Sequence, residues 1–75
     1  MDEEDKARAL EQRLRAEGHT EAADRLAGAM GAVGDLLLAG LRDACHFVLT
    51  AIEAIDPRTE AMAEELRVEM EKRLR

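Results

Sequence analysis

Seventy-five residues suffice for one small domain, close to the size below which a chain struggles to bury a core of its own. Phe47 is the sole aromatic residue, Cys45 the sole cysteine, and 17 acidic against 11 basic residues leave a net charge of −6. These figures exclude a base-stacking nucleic-acid module, a disulfide framework within the chain, and nonspecific binding to a phosphate backbone.

Ala, Leu, Glu and Arg dominate, and only Thr20, Val33, Val48, Thr50, Ile52, Ile55, Thr59 and Val68 are β-branched, so an all-α chain is expected. The first helix is predicted near 2–17. Its acidic start, Asp2 to Asp5, suits the positive end of a helix dipole and does not read as a signal peptide. Ala7, Leu10 and Leu14 line one side at spacings of three and four. Gly18 fits the left-handed position that ends a helix, and Thr20 can cap the next.

A long middle helix is predicted over 20–55, about 54 Å at 1.5 Å per residue. Its apolar positions Leu26, Met30, Val33, Leu37, Leu41, Cys45, Val48, Ile52 and Ile55 keep one phase throughout. Asp35, Arg42 and Asp43 interrupt the best apolar stretch, so no membrane span is expected. Gly34-Asp35 could instead end one helix and cap another, giving four short helices. The unbroken phase favours the continuous rod, with a kink near Gly31–Gly34. Asp56 as N-cap and Pro57 in the first helical position open the last helix, 57–75, with Met62, Leu66, Met70 and Leu74 on one side.

Over residues 36–55 apolar side chains wrap more than half the circumference, too wide a face for one short neighbour. The reading is a single domain, a short-long-short protomer that pairs about a two-fold axis into a dimeric four-helix-type bundle. The interface is expected at Leu37, Leu41, Cys45, Val48 and Ile52. The partner is a second copy, with neither nucleic acid nor membrane involved. An unpaired, buried thiol fits a soluble protein of a reducing, cytoplasmic-type compartment.

The opposite face of the middle helix carries Asp24, Gly28, Gly31, Ala32, Asp35, Ala39, Arg42, Asp43, His46, Thr50 and Glu53. Each interior glycine weakens a helix by roughly 1 kcal/mol, so Gly28, Gly31 and Gly34 imply a compensation. Close helix packing in the dimer is one. The other is a ligand groove at Gly28, Gly31, Ala32 and Ala39, with His46 as the axial ligand of a haem or related tetrapyrrole. A divalent metal held by Asp43 and His46, completed by Glu53 or Asp35, is the variant. Asp43-x-x-His46 is similar to the Glu-x-x-His motif of ferritin-like di-metal bundles, with a shorter acid.

No catalytic set is visible. The three glycines lack the strand and lysine of a phosphate loop, and Lys6 and Lys72 sit near the termini. Function therefore reads as a homo-oligomerising helical scaffold or binding module rather than an enzyme.

The turns Glu17-Gly18-His19-Thr20-Glu21 and Ile55-Asp56-Pro57-Arg58-Thr59-Glu60 resemble the idealised loops of computationally designed helical bundles. That resemblance implies that the glycines of the middle helix were placed for a close partner helix or a bound cofactor.

Overall fold

In a computed structural model, which describes residues 2–75, both turn signals act where the sequence puts them. The first helix, α1 (Glu3–Ala16), is capped by the Asp2 carboxylate, which accepts from the Asp5 N–H at 2.9 Å. It ends at Gly18, whose φ of +85° admits glycine most readily. Two hydrogen bonds close that end: His19 N–H to the Leu14 carbonyl at 2.8 Å, and Gly18 N–H to the Arg15 carbonyl at 3.1 Å. The next helix, α2 (Thr20–Ala29), follows at once. His19, not Thr20, holds its N-cap position, and no side chain caps it.

The continuous rod expected over 20–55 does not form. α2 stops at Ala29, residues 30–33 turn the chain, and α3 (Gly34–Ala51) begins with Gly34 at φ +61°. Two physical reasons account for the break. Gly28, Gly31 and Gly34 make this the weakest helical segment of the chain, each glycine subtracting roughly 1 kcal/mol. Folding back then lets α2 cover α3, so that the chain supplies the neighbour that a straight rod would have to borrow. α3 also stops four residues before the predicted boundary. Ile52 is already extended, Glu53 and Ala54 turn, and Asp56 is held extended by the proline after it. The last helix, α4 (Pro57–Leu74), opens as predicted, the Asp56 carboxylate accepting from the Arg58 N–H at 2.8 Å.

The described residues thus form four helices and no strand. α1 packs on α2 and on α4, and α3 packs on α2 and on α4, closing a ring. α1 and α4 run antiparallel: Glu3 pairs with Arg73 at 2.6 Å, Lys6 with Glu69 at 2.6 Å, and Arg13 with Thr59 at 2.8 Å. Each helix contributes an inward stripe. These are Ala7, Leu10 and Leu14 from α1, and Ala22, Ala23 and Leu26 from α2. α3 adds Leu38, Leu41, Ala44, Cys45 and Val48, and α4 adds Ala63, Leu66 and Met70. Of the predicted α4 stripe, Met62 and Leu74 lie at the margin, while Thr59 and Ala63 are inside.

Gly40 marks the tightest crossing. A Cβ placed there would meet the Ala29 Cβ at 3.1 Å, so α2 and α3 approach where neither carries bulk. Beside it the Arg25 guanidinium lies over the Phe47 ring, 4.0 Å from the centroid.

Leu41→Ala should lower the unfolding free energy in urea by about 2–5 kcal/mol, whereas Gln12→Ala, at an exposed position of α1, should stay within about 0.5 kcal/mol. The Asp56 carboxyl is held below its ordinary value of 3.8, chiefly by the Arg58 N–H it accepts from, then by the Thr59 N–H and the Arg13 guanidinium. A depressed carboxyl stabilises the fold above its unfolded value, and that contribution is lost as pH falls through the folded value. The gap in melting temperature between wild type and Asp56→Asn should therefore narrow as pH drops below about 4.

Candidate functional site

The bend at 30–33 redistributes the residues that a straight helix would have aligned. Gly28 and Gly31 lie at the end of α2 and in the turn, whereas Ala39 and His46 belong to α3. The groove expected from Gly28, Gly31, Ala32 and Ala39 beside His46 needs one continuous helix face, which the folded-back chain interrupts at residues 30–33. His46 is exposed on α3, and its backbone carbonyl accepts from the Thr50 hydroxyl at 2.8 Å. Asp43 remains one turn before His46, but its carboxylate is engaged by the neighbouring Arg42 at 3.1 Å. Among the described residues, no three His, Cys, Asp or Glu side chains gather as a metal set.

The expected interface stripe is spent inside the chain. Leu41, Cys45 and Val48 have no exposed surface, and Leu37 and Ile52 are half-buried against the same core. Burial pushes the Cys45 thiol up to about 12; the Arg67 guanidinium pulls the other way and Glu64 adds to the rise. The thiolate is the nucleophile, so Cys45 is an inert core residue at neutral pH.

What stays uncovered is the corner between α2 and α3. Across residues 27–37 no residue is buried, and Asp35 is the only one with a charged or polar side chain. The corner presents Val33 at 80% and Leu36 at 75% exposure, the two large apolar side chains that stand out most into solvent among the described residues. Val33 holds the N-cap position of α3 with no side-chain cap, so this helix start lacks the polar residue that the starts of α1 and α4 carry. Ala29, Met30 and Leu37 are half-buried against the core, so Val33 and Leu36 are what the corner gives to water, a marked departure on a chain with 37% charged residues.

A second feature sits at the opposite turns. Thr59 is fully buried; its hydroxyl accepts from Arg13 Nε at 2.8 Å and donates to Glu17 Oε2 at 2.7 Å. Arg13 also reaches Asp56 at 3.5 Å and Glu17 at 3.3 Å. Glu17 Oε1 is buried without a hydrogen-bond partner, and His19 Nε2 stands 4.0 Å from it. This knot ties the end of α1 to the start of α4. Sequence reading missed it, because Thr59 looks like an ordinary first-turn residue; its place at one helical turn before Ala63 and two before Leu66 was the available signal.

Comparison with protein-family models, with curated proteins and with solved structures finds no match to this chain. Among the described residues no helix is long and apolar enough to cross a membrane.

In the native protein the Cys45 thiol should resist a water-soluble disulfide reagent at pH 8, and it should react completely once urea unfolds the chain. Rapid labelling without denaturant, read by absorbance or mass, would contradict its burial.

Proposed function

We propose that this chain is a homo-oligomerising helical scaffold, a binding module whose partner is a second copy of itself, and that the α2–α3 corner is the surface through which it associates. The observation that carries this reading is the exposure of Val33 and Leu36 at a corner where residues 27–37 include no fully buried side chain. A domain this small has little core to spare, so leaving two large apolar side chains in water is a loss that association recovers at about 25 cal/mol per Å². A stable dimer withdraws about 800 Å² from each partner. The chain exposes 4533 Å² in all, so a dimer of that size would withdraw about a sixth of it.

Charge favours a second copy over an anionic lipid surface. The net charge of −6 opposes approach to acidic lipids, and the run itself carries no lysine or arginine to anchor there. Between two copies each corner brings a single exposed carboxylate, Asp35, and the acidic faces beyond are screened over about 8 Å at physiological salt.

Sedimentation equilibrium should give about twice the 8.3 kDa chain mass at micromolar concentration. Val33→Asp combined with Leu36→Asp should return the single-chain mass while the helical circular dichroism persists, since both side chains lie outside the core. A wild type that stays single up to millimolar concentration would overturn the reading.

A further inference from the structure

We infer that the second copy engages by exchange: the connection 30–33 opens, α2 and α3 join into one helix, and the α1–α2 arm of each chain packs on the α3–α4 pair of the other. This rests on the self-association proposed above and specifies its mode.

The apolar phase is the first support. At about 100° per residue, Leu26, Met30, Val33, Leu37 and Leu41 fall within one quarter of a helix circumference. Ala29, Leu36, Gly40 and Phe47 fall on the adjoining strip. Leu26 and Leu41 are fully buried in the folded-back chain, yet Val33, midway between them on the same stripe, is 80% exposed. Leu36 shares its strip with the Ala29–Gly40 crossing and is 75% exposed. A bend leaves these two residues outside, and straightening returns both to the seam.

Backbone hydrogen bonding is the second. The first bond of α3 runs from the Leu37 N–H to the Val33 carbonyl at 3.4 Å, so the N–H groups of Val33, Gly34, Asp35 and Leu36 precede its ladder. α2 tails off in short-range bonds, Gly31 N–H to the Gly28 carbonyl at 3.3 Å and Ala32 N–H to the Ala29 carbonyl at 3.2 Å. A continuous helix gives all of these groups ordinary partners. Gly34, at φ +61° in the bend, would adopt helical angles there.

Conservation of contacts is the third. The α1–α2 and α3–α4 hairpins remain within each chain. The α2–α3 contacts (Arg25 on Phe47, Ala29 on Gly40) and the α1–α4 contacts (Lys6 with Glu69, Arg13 with Thr59) are remade between chains. Nothing in the core changes, and the two uncovered corners meet near the two-fold axis. Exchange costs little at equilibrium where a short hinge joins two self-complementary parts, because the contacts that are broken are remade.

The test uses Ala29→Cys with Gly40→Cys in a Cys45→Ala background, because the Cβ positions of 29 and 40 face each other at 3.1 Å and reach disulfide spacing, about 3.5–4.5 Å, with a shift of a few tenths of an ångström. Monomer and dimer fractions are separated by gel filtration, oxidised, and run on a denaturing gel without reductant. The dimer fraction should yield covalently linked pairs, and the monomer fraction internally linked single chains. Gly34→Ala loses its left-handed glycine in the bend and gains helix propensity in the rod, in each of two chains, so it should tighten dimerisation by about a hundredfold or more. Asp35→Pro is tolerated in the first turn of α3 but breaks a continuous helix, so it should shift the population to single chains. A dimer fraction whose links are all internal would overturn exchange and leave surface association standing. Absence of any dimer, in wild type and Gly34→Ala alike, would overturn both.

Discussion

The fold turns on how a chain of this length covers the apolar surface of α3. Leu41, Cys45 and Val48 need neighbours on more than one side, and α4 covers one of them. The bend at 30–33 supplies the other by bringing α2 back. Fully burying a side chain such as Leu26 contributes about 1.5–3 kcal/mol. Interrupting a helix gives up several backbone hydrogen bonds, each worth roughly 0.5–1.5 kcal/mol net. The two effects are of similar size. Gly28, Gly31 and Gly34 tilt the comparison by making the interrupted segment the poorest helix in the chain. The same closeness explains why the uncovered corner is where the bend is.

That balance also explains which parts of the fold were legible. The ends of α1 and the start of α4 are fixed by local chemistry, Gly18 at positive φ and the Asp56-Pro57 pair, and they fall within a residue of the sequence reading. The break inside 20–55 left no mark on the apolar phase, because residues 30–33 span the bend without shifting the register of the stripe. Helical periodicity records which residues share a face and is silent on whether the axis is straight. The four-helix alternative at Gly34-Asp35 was the correct one, with Val33 rather than Asp35 at the cap position.

Side-chain roles followed the same division. The stripe Leu37, Leu41, Cys45, Val48 and Ile52 was recognised as apolar and assigned to a partner, whereas the chain itself covers most of it. The groove beside His46 depended on a straight helix and dissolved with it. Gly40 and Thr59 were passed over because their importance is tertiary: one faces Ala29 across a crossing, the other stands between Arg13 and Glu17. Neither partner is near in sequence, so no local pattern announces them.

The polar contacts between α1 and α4 divide by burial into two kinds of influence. Lys6 with Glu65 and Glu69, and Glu3 with Arg73, are at least partly in water, where screening and side-chain entropy leave such pairs little net effect. The Thr59 hydroxyl is buried and uses both its donor and an acceptor position, and leaving either partner unmet would cost about 1–3 kcal/mol. A hydrogen bond of that kind sets register: α1 slid by one turn along α4 would strand Arg13, Glu17 and Thr59 together. The clamp therefore specifies where the α1–α2 arm docks on an α3–α4 pair. It joins residues on either side of the hinge and is indifferent to whether they belong to one chain. Precision of docking comes from the Thr59 knot, whose partners Arg13 and Glu17 lie at the far end of α1 from its N-cap.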